Sequence, residues 1–236
     1  MKRLLLFLFL IAGAISVAFA QQPTTTTSQA RTIAEQSPSA ESIWADLMAG
    51  NDRFISGRTN TVEIVPLRQS LAAKQNPKVV VLTCSDSRVS PEILFDKNLG
   101  DLFVVRSAGN IADAIGVGSI EYAVEHLGST VLLVLGHTEC GAVKAACSGD
   151  KMPTANLQAI MDKIEPAVTR AKTHSRPDAL PEAAVQENVR QSANDVMASS
   201  EVLQHFVHEG KLTVFEAVYD LTSGKVVRLE TTSGHN

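Results

Sequence analysis

The stretch "VVVLTCSDSRVSPE", residues 79–92, begins as a buried strand and ends among reactive side chains. Its β-branched and aliphatic start suits a strand covered on both faces. It stops at Cys84, and within four positions come Asp86 and Arg88. Ser90, Pro91 and Glu92 then read as an N-cap, a first-turn proline and a first-turn acid. The strand pattern of "KVVVLTC" recurs in "DLFVVRSAGN" and "STVLLVLGHTEC". Between the last two, "GVGSIEYAVEHLG" has Ile120, Tyr122, Ala123, Val124 and Leu127 in helical register, with Gly128 placed as a stop. Strand, short helix, strand, helix, strand is the order of a right-handed parallel sheet. The expected fold class is α/β, a predominantly parallel central β-sheet flanked by helices.

Outward from this core, "ESIWADLMAGNDRFISGR" places Ile43, Trp44, Leu47, Met48 and Phe54 near a 3.6 period, a helix with one apolar face in which Trp44 is a packing residue. Downstream of "ECGAVKAAC", helical stretches are expected at roughly 154–174 and 181–209, separated by "SRPDALPE". The alternating runs in "KLTVFEAVYDLTSGKVVRLE" flank a "TSG" turn and read as an edge hairpin.

The first twenty residues stand apart. "MKRLLLFLFLIAGAISVAFA" has a basic start, an apolar run and a small-x-small end at Ala18 to Ala20, the layout of a cleaved secretory signal peptide. A membrane span needs roughly 20 apolar residues, and this run is a little shorter. The expectation is export to a periplasmic or secreted location, with no stable membrane anchor after cleavage. Residues 21–40, rich in Thr, Ser, Gln and Pro, read as a polar linker, and 41–236 as one domain. The chain carries 21 basic and 25 acidic residues and no aromatic-interleaved basic patch, which argues against nucleic acid as a partner. Three cysteines in an exported chain cannot all be paired.

In open α/β sheets, function gathers outside the carboxyl ends of the strands. Cys84 ends the first run, and His137 and Cys140 lie just past the third. If those strands are neighbours, two thiolates and an imidazole converge, a set suited to zinc with a fourth position open. Taken singly, a strand-end Cys is often a small buried hydrophobe, and H-x-x-C arises by chance. Their joint placement beside Asp86 and Arg88 favours the metal.

"CSDSRV" at 84–89 followed by "HTECGAV" at 137–143 resembles the β-class carbonic anhydrases. "LMAGNDRFISGR", "GDLFVVRSAGN", "GSIEYAVEHLG" and "VYDLTSGKV" extend the similarity over about Glu41 to Glu230. The resemblance implies the β-carbonic anhydrase fold, one Zn2+ per chain held by Cys84, His137 and Cys140, and Asp86 with Arg88 as the catalytic pair. The implied reaction is reversible hydration of CO2 to bicarbonate and a proton by zinc-activated hydroxide. Held by Arg88, Asp86 would orient the nucleophile; released, it would take the fourth zinc position and close the site. A homodimer or homotetramer is implied, with the N-terminal helix across a partner subunit, which would cover the apolar face around Trp44. Some bacterial members hold an inhibitory bicarbonate on a Trp, an Arg and a Tyr. Here Val81 stands at the Trp position, with Arg106 and Tyr219 at the others, so that site is expected to be missing or weak.

Two alternatives stay open: a carbonyl sulfide or carbon disulfide hydrolase on the same scaffold, and a non-catalytic exported zinc-binding protein. Cys147 reads as a packing thiol, and His126, His205 and His208 as residues at helix C-termini. His174 and His235 read as solvated, and "ENVRQSANDV" as a packing helix.

Overall fold

The computed structural model describes residues 38–230. The expected signal segment 1–20, most of the expected linker 21–40, and His235 lie outside the described residues. No helix among the described residues is long and apolar enough to cross a membrane.

The chain runs α1 (Ala40–Ile55), α2 (Ile64–Ser70), β1 (Val79–Cys84), α3 (Pro91–Leu94), β2 (Leu102–Ser107), α4 (Ala114–Glu125), β3 (Val131–His137), α5 (Gly141–Ser148), α6 (Ala155–Lys172), α7 (Leu180–Ala198), α8 (Glu201–His208), β4 (Thr213–Tyr219) and β5 (Val226–Arg228). Five strands form one sheet in the order β2-β1-β3-β4-β5. The first four are parallel, and β5 returns antiparallel on β4 as the edge strand.

The two central strands carry the core. Every residue of β1 and β3 is buried, as their unbroken apolar runs require. Alternate side chains divide between two layers. Val79, Val81, Leu133 and Leu135 pack with Ile43 and Leu47 of α1 and with Leu94 and Phe95. Val80, Leu82, Leu132 and Val134 pack with Ile120 of α4, Val189 of α7 and Leu203 of α8. A third cluster joins Cys84 and Cys140 to α5, α6 and α7.

Two expectations need correction. First, β2 is only partly buried, because it lies at the edge of the sheet with a strand on one side alone. Second, the stretch expected as one helix over 181–209 is two, broken at Ser199 and Ser200; Ser200 caps α8 by accepting the Leu203 amide. Within the chain, the apolar face of α1 packs on the sheet through Ile43 and Leu47, with Trp44 and Met48 partly buried. Trp44 sits on Phe215 of β4 with ring centroids 5.4 Å apart, and the Arg228 guanidinium lies 4.1 Å from the Phe215 centroid. The Ser90 position does start α3, though its hydroxyl turns to Glu92 and caps no amide.

A buried side-chain amide adds to the packing of α1 on the rest. Asn51 donates from Nδ2 to the carbonyls of Leu94 and Gly224 and accepts the Val226 amide on Oδ1. One side chain thus ties α1, α3 and the β4–β5 hairpin. Asn51→Ala strands three backbone groups in a dry layer, at about 1–3 kcal/mol for each left unsatisfied. Urea unfolding is expected to show a loss of roughly 2 kcal/mol or more; a change within error would remove this role.

Candidate metal centre

The parallel register explains why residues far apart in the chain meet. Cys84 is the last residue of β1 and His137 the last of β3, and the two strands are neighbours in the sheet. Past His137, the Thr138 amide continues the ladder to Tyr219 O, Glu139 takes a left-handed conformation at φ 60°, and Cys140 becomes the N-cap of α5. That reversal swings Cys140 back over the strand end. The ligand atoms of Cys84, His137 and Cys140 all lie within 4.8 Å of one another, and all three residues are buried.

Each ligand is fixed by a second partner. His137 Nδ1 lies 2.8 Å from the Thr138 carbonyl and donates to it, which leaves Nε2 as a lone pair. Nε2 is buried and has no hydrogen-bond partner among the described residues. A buried acceptor left bare is expensive, and a cation between it and two sulfurs removes the expense. Cys84 Sγ accepts the Gly109 amide at 3.3 Å. The hydrogen bond from Cys140 pulls the Cys84 thiol down, helped by the Gly109 amide against the effect of burial. Cys140 moves up, first because it donates to Cys84 and then through burial, although amides at the start of α5 oppose this. A divalent cation bound between the two sulfurs would displace the protons they carry. Two thiolates and a neutral imidazole fit zinc and leave a fourth position.

Beside the ligands, Arg88 holds Asp86 with both ends of its fork: Nε to Oδ1 at 3.0 Å and Nη2 to Oδ2 at 2.7 Å. The Arg88 amide adds a third bond to Oδ1. This guanidinium keeps the Asp86 carboxyl well below the usual carboxylate range. Asp86 Oδ2 lies 3.9 Å from His137 Nε2, so the carboxylate faces the metal-binding atoms. The loop that carries the pair is clamped from β2. Arg106 donates from Nε to Cys84 O and from Nη2 to Asp86 O and Val89 O. These Arg106 donors are taken by main-chain oxygens, Val81 is fully buried, and Tyr219 is buried with its phenol pushed up by desolvation.

All five residues singled out in the sequence are thus together. The other candidates lie elsewhere. Cys147 packs partly buried at the margin of the third cluster. His126 is the C-cap of α4 with its ring tilted against Tyr122, centroids 5.3 Å apart, and His205 is 3.4 Å from Glu209. His174, expected to be solvated, is 3.5 Å from Glu187 though still half exposed. Sequence reasoning missed Gly109, Thr138 and Asn188. Polar Asn188, Gln191 and Ser192 on the otherwise apolar stripe of "ENVRQSANDV" were the visible signal for the last.

The proximity of two sulfurs has a redox consequence. Stripped of metal, the protein is expected to form a Cys84–Cys140 disulfide when treated with oxidised glutathione, the more nucleophilic Cys84 attacking first. Zinc-loaded protein is expected to resist. Peptide mapping checks this, and a free Cys84 after treatment of the stripped protein would refute it.

A buried thiolate–imidazole–thiolate cluster at the carboxyl ends of adjacent parallel strands defines a metalloenzyme of the α/β class. The family model for carbonic anhydrase matches residues 79–226. Carbonic anhydrase 2 of Mycobacterium tuberculosis is 37% identical over 190 residues, which cover 78% of this chain and 90% of that protein. Among solved structures, a Coccomyxa β-carbonic anhydrase in complex with acetazolamide is 30% identical with a TM-score of 0.61, covering 80% of this chain and 83% of that one. A structure from a study of two tetrameric β-carbonic anhydrases of Sordaria macrospora is 25% identical with a TM-score of 0.62, covering 68% and 84%. The chain belongs to the β-class carbonic anhydrases, zinc enzymes, and Cys84, His137 and Cys140 are grouped to hold the metal.

Proposed function

We propose that this protein hydrates CO2 reversibly to bicarbonate and a proton, that it works outside the cytoplasm, and that Asp86 and Arg88 are its catalytic pair. The observation that carries the reading is the ionised, doubly held Asp86 carboxylate facing the Cys84, His137 and Cys140 ligand atoms. Zinc, when bound, supplies a Lewis acid that brings the pKa of water to about 7 in the three-His carbonic anhydrase, which is the general reference case for this chemistry.

The protein's own groups do the rest. Cys84 and Cys140 hold the ion with two negative charges, which makes it a weaker Lewis acid than three imidazoles would, so activity is expected to rise on the alkaline side. Asp86 can only accept a hydrogen bond while ionised; it takes one from the attacking oxygen and turns a lone pair toward the CO2 carbon. Arg88 keeps that carboxylate aimed through its fork. The Arg88 side chain is 56% exposed, so the pair lies at the solvent boundary and the product proton has a short path to buffer.

The export part of the reading rests on the signal-like residues 1–20, and the likeness to a tetrameric relative supports a homodimer or homotetramer. Stopped-flow CO2 hydration with parallel zinc analysis tests the activity. The expected result is one zinc per chain, proportional activity, and inhibition by acetazolamide. Stoichiometric zinc without hydration would overturn it.

A further inference from the structure

Asn188 lies in the middle of α7 and is 1% exposed. Its Nδ2 donates to the Gly109 carbonyl at 2.8 Å, with a longer contact of 3.4 Å to Asn110 Oδ1. Asn110 reaches back to α7 from its own Nδ2, 3.4 Å from Ser192 Oγ. Gly109 is therefore held at its carbonyl by α7, while its amide donates to Cys84 Sγ at 3.3 Å. One residue, gripped at both polar ends, connects a helix to a metal ligand.

The turn would not adopt this shape unaided. Gly109 has φ 74° and Asn110 φ 48°, successive residues in the left-handed region. A Cβ at Gly109 would come within 2.7 Å of Ile164 Cδ1 and 3.3 Å of the Ala142 Cβ, and the left-handed φ adds backbone strain for any other residue, so glycine suits this turn between α5 and α6. Asn188 also leaves its Oδ1 buried without a hydrogen-bond partner among the described residues. A side chain present only to fill space on α7 would have no such orphan; Val185 and Val189 beside it do that work. The orphan oxygen follows from pointing the amide nitrogen at Gly109.

We infer that Asn188 is a positioning residue for the metal centre, which acts by fixing the Gly109 carbonyl so that the Gly109 amide stays aimed at the Cys84 sulfur. The inference rests on the reading of Cys84 as a zinc ligand. An N–H donor on a thiolate holds its direction and withdraws some of the charge it gives the ion. The Gly109 amide thereby offsets part of the extra negative charge that two sulfurs bring. Release of the turn lets Cys84 leave its ligating direction, and that loss of alignment outweighs any gain in donor strength.

The test compares Asn188→Ala with the unaltered protein and with Val196→Ala, a buried apolar position about two turns further along the same helix. Zinc loss to an excess chelator and the thiolate-to-cobalt charge-transfer band of Co2+-substituted protein are read together. Asn188→Ala is expected to shed zinc about tenfold faster or more and to shift the band, while Val196→Ala does neither. If Asn188→Ala proves insoluble, Asn188→Ser keeps a hydroxyl in the space but falls short of the Gly109 carbonyl and is expected to behave as Asn188→Ala. Wild-type zinc retention and an unmoved band in these variants overturn the inference while the metal reading stands. Equal changes in Val196→Ala overturn it too, as a general loosening of α7. Failure of the unaltered protein to take up either ion overturns the metal reading itself, and this inference with it.

Discussion

Cys84→Ser is expected to abolish zinc binding and CO2 hydration while leaving the fold in place. A serine hydroxyl is not ionised near neutral pH, so the site loses one of two anionic ligands, and His137 and Cys140 alone make a poor socket for a divalent ion. Loss of an outer partner of a ligand reduces affinity or activity by about 10–100-fold, and loss of the ligand itself is expected to exceed that range. The exchange of sulfur for oxygen removes little volume from a cluster that keeps Val143, Ile164, Val168 and Val185, so circular dichroism should be unchanged. Cys147→Ser is the control: that thiol lies outside the ligand group, and both zinc and rate should survive. A Cys84→Ser protein with one zinc per chain and an undiminished rate would remove the proposed centre.

Asp86→Asn is expected to keep the zinc and lose the rate. The amide matches the carboxylate in size, but one of its two ends carries donors where the carboxylate only accepts. It also loses the charge that holds Arg88. A misaligned nucleophile of this kind costs about 10²-fold, to be read as kcat/KM in a stopped-flow assay at matched zinc content. Arg88→Ala approaches the same carboxylate from the other side. With its fork gone, Asp86 is free to turn toward the ligand atoms, 3.9 Å away in the case of His137 Nε2. X-ray absorption at the zinc edge should then show a carboxylate oxygen in place of an exchangeable one. An unchanged rate in fully metallated Asp86→Asn would end the assignment of that residue.

The pH dependence of the pair has a definite sign. The folded carboxyl of Asp86 is held below its free value of about 3.9, so its pairing with Arg88 contributes in full above that value. The contribution is lost only as pH falls through the depressed folded value, in strong acid. Asp86 is thus ionised throughout the neutral and alkaline range, and any fall in activity between neutral and mildly acid pH belongs to the metal centre. Zinc retention should fall on acidification, because protons compete for Cys84 and Cys140.

The residues that were easiest to read were those whose role is written in local pattern. Unbroken apolar runs in β1 and β3 announced strands covered on both faces, and the chemistry at their ends followed from the rule that parallel strands deliver their last residues to one edge. The same pattern misled at β2, because "LFVVRS" differs little from a central strand and nothing local tells that a neighbour is missing. The environment of α1 was open for a related reason: periodicity shows that Trp44 and Leu47 share a face, not which surfaces receive it. Partners acting through main-chain atoms were invisible. Thr138 fixes His137 with a carbonyl, Gly109 supports Cys84 with an amide, and no side-chain motif marks either. Asn188 belongs to this group too, as its meaning depends on a turn 79 residues upstream.

Two of the three ligands end neighbouring strands and the third follows in the turn after β3, and the segment between Cys84 and His137 builds β2 and α4 on the way. Non-local strand pairing of this sort is the slow part of assembly, and the shaped socket of Cys84, His137 and Cys140 does not exist before it happens. The metal thus arrives late, at a socket already shaped by the sheet, unlike a small zinc domain whose polypeptide collapses around its ion. Scarcity of zinc during biogenesis would accordingly leave folded, inactive molecules awaiting activation, not misfolded ones marked for destruction.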